Sequence, residues 1–362
     1  MAKIKEFFRS LSLRQMILSL TVILSLIIFT LLTWWCNSEI AGLSHQQAAM
    51  RWDKDGGAAQ VSCFFVRGVQ VDDFQIKSFE NQLKNALSEV SIEQDNENAR
   101  LFVDAYCAQG RITIVSEQST LEAEAVGIGG DFFIFHPLKL VSGSYFSGND
   151  LMEDFIILDK EAAWQLFGSS DIAGMSVTIG GIPHYVAGVV ERERGRLPEN
   201  AGLNNTVVYV SHETLTAYGE SEGINTYEVV APNPVKHFVF HTVKDKFGVQ
   251  ESNMLVIENS SRYSLESMIP VVLDFGVRSM QNSAIHFPYW ENVARGYEDI
   301  RAVVLLLQFI LLLIPTVIIL VTLVIQWKNR SWHTKDVIMY LVDKKDRALE
   351  RVRSEKNKWK HF

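Results

Sequence analysis

Cysteine is scarce in this 362-residue chain, which has three copies. An odd, widely spaced set excludes a disulfide-stapled miniature and a zinc site of the CxxC type. The GxxxxGK[ST] phosphate loop is absent, so ATP hydrolysis of that class has to come from another chain. The HExxH helix of metalloproteases is read as missing, and so is a GxSxG nucleophile elbow. Histidines are scattered as His136 beside Pro137, His184, His212 with Glu213, and His237 with His241. Only the last two stand four apart on a helical pattern, where they read as polar positions on its outer side. No catalytic, cofactor-binding or metal-ligating residue is therefore singled out, and no cofactor is expected. Basic patches with interleaved aromatics are lacking as well, which argues against a nucleic-acid partner.

Two apolar runs are present, Met16 to Trp35 and Ala302 to Trp327, each long enough to cross a bilayer as a helix. The first has no charged residue, and the second is interrupted by Gln308 and Pro315. Lys3, Lys5, Arg9 and Arg14 precede the first run against Glu6 alone, and eleven basic residues follow the second against five acidic ones. The positive-inside rule then puts both termini in the cytoplasm and the intervening 36–301 outside the cell membrane. With 15 of the 34 basic and 6 of the 42 acidic residues in those flanks, 19 basic and 36 acidic residues remain between the runs, a net charge of −17. The first run exceeds a signal-peptide core and no small-x-small site follows it, so a plain anchor is expected. Trp34 and Trp35 before Cys36 suit an interface, not lipoprotein processing.

The exterior carries a strand near Val61–Val66, a helix pattern in Ile76, Phe79, Leu83, Leu87 and Val90, then strands at 101–108 and 111–117. The order recurs with the run Thr226–Ala231, Asn233 as a cap with Pro234 opening a helix, Gly248 closing it, and a strand at Met254–Glu258. Two such units commonly pair as a split βαβ sheet. An α+β fold is expected, divided as a cytoplasmic terminus 1–15, a first span 16–36, a stalk with the first half of a porter-like part 37–128, and an inserted small αβ part 129–221. The second half with its stalk follows at 222–301, then a second span 302–327 and a basic tail 328–362. Inside the insert, Phe155–Leu158 reads as a strand, Lys160–Phe167 as a helix stopped by Gly168, and Gly180-Gly181 as a hairpin turn. The stretch 191–205 reads as a solvated loop, and Gly129-Gly130 as a turn into a strand. Cys63 and Cys107 fall on strands that would have to be neighbours to bridge; two small core residues is the preferred reading.

Gly129-Gly130-Asp131-Phe132-Phe133, His136-Pro137-Leu138-Lys139-Leu140 and Ser142-Gly143-Ser144-Tyr145-Phe146 carry a resemblance. It continues in Asp150-Leu151, Ile157-Leu158-Asp159, Ala163-Trp164-Gln165-Leu166-Phe167-Gly168, Gly174, Ile179-Gly180-Gly181 and Val186-Ala187-Gly188-Val189. In this order they resemble the extracytoplasmic core domain of MacB-like and FtsX-like ABC transporter permeases. The resemblance implies a mechanical subunit whose outer domain moves as a cytoplasmic ATPase opens and closes. It also implies an ABC-type ATPase partner and, because only two transmembrane helices are found where members have more, pairing with another permease subunit or a second copy. The tail, with Val337, Ile338, Leu341, Val342, Leu349 and Val352 beside many basic residues, would meet that ATPase or membrane lipid. A stand-alone anchored binding or sensor protein is the alternative, and an ectoenzyme the least favoured class. In a pair of subunits Gln308 would bond across helices and Pro315 would kink the second span, with a lipid-facing kink as the equal alternative.

Overall fold

The computed structural model describes residues 12–94, 96, 99–150, 152–278, 284–329, 338–340, 342–345 and 347. The basic residues before Ser12 and most of the tail stripe, with Val337, Leu341, Leu349 and Val352, lie outside them. Two units separate, 35–305 and the pair 1–34 with 306–362.

In chain order the elements are helix α1 (Leu13–Ala41), β1 (Ala58–Phe65), α2 (Asp73–Glu89), β2 (Val103–Val115), β3 (Thr120–Gly130), β4 (Lys139–Gly143) and β5 (Phe155–Asp159). Then come α3 (Lys160–Phe167), β6 (Ser176–Ile179), β7 (Ile182–Glu191), β8 (Val207–Ser211), α4 (His212–Tyr218) and β9 (Glu220–Pro232). The chain continues through α5 (Phe238–Lys246), β10 (Met254–Glu258), α6 (Leu265–Leu273) and α7 (Tyr289–Lys328). Helices α1 and α7 are both long and apolar enough to cross a membrane, and α7 runs through Pro315. Gln308 Nε2 donates to Thr33 Oγ1 at 2.8 Å, a bond between the two apolar helices of one chain and not the one expected between paired subunits. Gln308→Leu is expected to lower stability by ~0.6 kcal/mol, the mean for such bonds in membranes. Reversible unfolding in mixed micelles checks this, and a loss well above ~2 kcal/mol would mean that the bond is not an ordinary one.

Strands β10, β1, β9 and β2 lie side by side in that order, every pair antiparallel. This is the split βαβ arrangement: β9 sits between β1 and β2, and β1 between β9 and β10. Asp72 caps α2 by accepting from Gln75 N, and Ile76, Phe79, Leu83 and Leu87 bury its inner face against the sheet, together with Val239 and Val243 of α5. The opposite face packs on Ala48, Ala49, Phe132, Phe135 and Trp290. Cys63 and Cys107 are free and buried. Strand β9 pairs with both of their strands, with Cys63 beside Tyr227 and Cys107 beside Thr226. Two strand spacings, roughly 9–10 Å, exceed the Cα separation of about 7 Å that a disulfide can span.

The strands expected at 101–108 and 111–117 form the single strand β2. Register shifts between Cys107 and Gly110 bend its pairing with β9 where a Cβ on Gly110 would lie 2.1 Å from the Glu220 carbonyl oxygen, so only glycine fits. Beyond that bulge β2 leaves the first sheet. It pairs with β3 and β6, and the path β2-β3-β8-β5-β7-β6 returns to β2 as a closed six-stranded barrel. Ile112, Ile114, Ile156, Leu158, Val189 and Val208 fill it, and Leu166 of α3 and Leu215 of α4 join that core. Two local expectations fail. A helical turn, Phe132–Phe135, follows Asp131, because burying three aromatic rings at once is possible on a turn but not on one strand face. Helix α5 starts at Phe238 and not at Pro234, because His237 takes a left-handed conformation (φ 66°) as its Nδ1 reaches Glu258; Asn233 Oδ1 still accepts from Val239 N at 3.3 Å.

Candidate functional site

Glu228 on β9 is 3% exposed and faces the side of the sheet away from α2 and α5. A carboxylate so placed needs partners. Its Oε1 accepts from Ser62 Oγ on the neighbouring β1 at 2.5 Å, and its Oε2 from His136 Nε2. His136 Nδ1 stands 2.9 Å from His45 Nδ1, and His45 Nε2 donates to Glu193 Oε1 at 2.8 Å. Satisfying both carboxylates takes both Nε2 protons, and the Nδ1 contact is a hydrogen bond only with one proton between the rings. Hydrogen-bond bookkeeping thus assigns three protons to two imidazoles, one positive charge between two negative ones.

Burial pulls the His136 pKa below its ordinary value against the opposing pull of Glu228. Burial pushes the Glu228 carboxyl up, but the His136 contact outweighs it and holds the group below the usual carboxylate range. Glu193 follows the same pattern, with burial opposed and outweighed by His45. Trp290, at the start of α7, covers the pair with its ring 4.2 Å from that of His136, and Tyr289 meets His45 edge-on.

The chain of bonds continues beyond Ser62. Asn259 Nδ2 donates to Ser62 Oγ at 2.7 Å, and Arg262 Nη1 donates to Asn259 Oδ1 at 3.3 Å. Arg262 then forks onto Glu291 (2.7 and 2.8 Å) and reaches Glu298 through Nε (2.5 Å), both on α7. The Arg262 and Glu291 side chains are 2% and 1% exposed, Glu298 9%. Burial opposes the Arg262 charge, but Glu291 and then Glu298 raise its pKa beyond the ordinary arginine value. Gln60, fully buried on β1, grips the segment after α1 by donating to the His45 carbonyl (2.7 Å) and accepting from Ala48 N (2.8 Å). Arg51 fastens the same segment to the Ile134 carbonyl at 2.7 Å.

An unbroken polar line thus runs from Glu193 through the sheet to α7, touching the segments that follow α1 and open α7. At its outer end Glu193 lines a cleft of about 660 Å³ with Arg192, Trp164 and Arg194. Charge-assisted bonds in a low-dielectric interior resist sliding between the parts they join. The line's one hydroxyl, Ser62 Oγ, is paired with the Glu228 carboxylate but is 1% exposed, away from any substrate, and among the described residues no group of three metal-ligating side chains occurs.

Of the histidines noted in the sequence, only His136 belongs to this line. His184 Nε2 pairs with Thr214 Oγ1 at 3.1 Å, and His212 packs edge-on to Tyr106. His237 faces Glu258 and stands 6.4 Å from the His241 ring. The spacing GxSxG does occur, at Gly219-Glu220-Ser221-Glu222-Gly223, but it follows helix α4 and opens strand β9, the reverse of an elbow; Ser221 Oγ accepts only a turn bond from Gly223 N. Residues 191–205 hold a helical turn, Arg196–Asn200, and the half-buried Arg192 and Glu193, so this stretch is not wholly solvated. The sequence reading passed over His45, Arg262, Glu291 and Glu298. Glu228 alone left a signal, an acid inside the apolar run Tyr227-Glu228-Val229-Val230-Ala231.

Comparison with known proteins places this architecture. A segment of 78 residues, 21% of the chain, is 36% identical to the macrolide export ATP-binding/permease protein MacB of Chromobacterium violaceum and covers 12% of it. A longer segment of 157 residues, 41% of the chain, is 24% identical to the protein of the same name in Pasteurella multocida and covers 23% of it. The matches thus span less than a quarter of these curated relatives. Among solved structures, the periplasmic region of MacB from Actinobacillus actinomycetemcomitans is similar at 16% identity with a TM-score of 0.36, covering 62% of this chain and 93% of that one. The model of the MacB-like periplasmic core domain matches residues 18–245, well over half of the chain. By that match the chain belongs to the MacB-like periplasmic core domain family of ABC transporter permeases.

Proposed function

We propose that this protein is a permease-like membrane subunit of a MacB-type ABC transporter, not itself an enzyme, which passes ATPase-driven motion to its outer domain for export or for handling an extracytoplasmic substrate. The observation that carries this reading is the buried line from Glu193 to Glu298. A motion delivered along the segments flanking α1 and α7 would reach the sheet, and through Glu193 the barrel and its cleft, without loss in flexible joints. Family membership supports the reading, and the names of the curated relatives assign ATP binding to them. In this reading the ATPase is a separate chain, joined by another permease subunit or a second copy. The porter-like part, 37–128 with 222–301, would act as the lever and the insert 129–221 as its working end. In this scheme both termini are cytoplasmic and the basic tail contacts the ATPase or anionic lipid.

The test is purification of the tagged full-length protein from solubilised membranes of its native host, followed by mass spectrometry. An ABC-type ATPase is expected with it and is expected to be lost when residues after Trp327 are removed. Full-length protein that comes out with no ATPase in any detergent tried would overturn the proposal in favour of an anchored binding or sensor protein.

A further inference from the structure

Helix α6 buries only half of its apolar surface. Met268 and Val271 pack on Ala302, with Tyr263, Val272 and Leu305 around them. The adjoining strip, Leu265 (69% exposed), Ile269 (53%) and Leu273 (77%), repeats every four residues and is extended by Phe275 (42%). Three large apolar side chains in a row facing water, with a fourth just past the end, is a costly arrangement for a helix of nine residues. The polar side of α6 is oriented by the body: Glu266 pairs with Lys236, and Ser264 caps the first turn by accepting from Ser267 N.

Where α6 sits decides what covers that strip. Ala302 and Leu305, on which it packs, are the first turn of the apolar run 302–327 that continues along α7. If that run crosses the bilayer, its first turn lies at the outer boundary of the hydrocarbon, and a helix fixed to that turn lies at the same depth.

We infer that α6 is an interfacial helix: it lies in the outer leaflet with Leu265, Ile269, Leu273 and Phe275 among the acyl chains. The inference rests on α7 crossing the membrane. The occupant is the bilayer the protein already stands in, not a recruited partner. Fixed to α7 through Met268 and Val271, and adjacent in sequence to Arg262, α6 would hold the inner end of the polar line at constant depth while the outer domain moves.

The experiment places an environment-sensitive dye on Ile269→Cys, and separately on Leu273→Cys, in the full-length protein. The three native cysteines are buried and leave the introduced thiol as the reactive one. The protein is reconstituted in vesicles of phosphatidylethanolamine and phosphatidylglycerol. Dye on Ser252→Cys, exposed on the body, reports water, and dye on Leu313→Cys, inside the apolar run, reports lipid. Blue-shifted emission at 269 or 273, quenched by shallow doxyl lipid and spared by aqueous iodide, is the expected result. Iodide quenching at both positions as strong as at Ser252, with Leu313 still lipid-quenched, overturns the interfacial helix alone. Protection that vanishes as the protein is diluted in lipid assigns the strip to a second copy and also overturns it. Failure of lipid quenching at Leu313 removes the membrane span and the inference together.

Discussion

Replacing Arg262 with methionine is expected to lower the unfolding free energy of the full-length protein by ~3–5 kcal/mol, the cost of stranding a buried charge. The side chain is buried and holds two carboxylates that are themselves buried, through bonds of 2.5 to 2.8 Å. Removing it leaves Glu291 with Arg295, at 2.8 Å, among the described residues, and takes the Arg262 contact from Glu298. Solvent cannot reach in to compensate. A surface pair is the natural control: Lys236 and Glu266, with side chains 62% and 74% exposed, are screened, and Lys236→Met is expected to cost under ~1 kcal/mol. Adding Glu291→Gln and Glu298→Gln to Arg262→Met should recover much of the loss, because the cost lies in unpaired charge and not in lost volume. Chemical unfolding in detergent, followed by tryptophan emission, reads all three variants. A loss for Arg262→Met no larger than for Lys236→Met would mean that the ion-pair cluster does not hold α7 to the sheet.

How much of this was legible in the residues depends on the range over which each feature is specified. Helix α3 with its Gly168 stop, the β6–β7 hairpin and the apolar face of α2 follow from spacings of a few residues, and they appear where the sequence puts them. The split βαβ order was also readable, because each half repeats the same local signals. The closed barrel was not. It depends on β2 running on past a bulge at Gly110 and on β6 meeting both β2 and β7, neither of which leaves a periodic trace. The polar line is harder still, since its members stand between positions 45 and 298. A buried histidine pair looks, in sequence, like two unrelated histidines. Chain neighbours supply almost none of its contacts, and only the topology brings β1, β9, the turn 132–135 and the start of α7 together. The acid at Glu228 was the one visible clue, because a charge inside a fully apolar strand run needs a buried partner.

Asp104→Asn is expected to stabilise the protein by on the order of 2 kcal/mol at pH 8 and to change little at pH 4, one pKa unit being worth ~1.4 kcal/mol. Asp104, on β2, accepts from Tyr227 Oη at 3.0 Å and shares a hydrogen bond with Glu80 of α2. Burial first, then the Glu80 charge and that of Asp131, push its pKa up to about 7, while the Tyr227 bond works the other way. Burial raises the Glu80 carboxyl too. Two facing carboxyls that share one proton hold α2 to β2 only while the proton remains. The folded value lies above the unfolded one of about 3.9, so the folded state binds the extra proton between these values. The stabilisation is fully present below about pH 4 and is lost as the pH rises through about 7. The polar line has the opposite sign, since His136 has a lowered pKa and its contribution, present above about 6.5, is lost as the pH falls. The wild-type protein should therefore show a stability maximum between these limits. An asparagine amide keeps the Tyr227 acceptor and donates permanently to Glu80, so the variant keeps the acid limb and flattens the alkaline one. Unfolding midpoints from pH 4 to 9 decide the matter: parallel profiles for the two proteins would show that Asp104 and Glu80 share no proton, and that α2 is held by its apolar face alone.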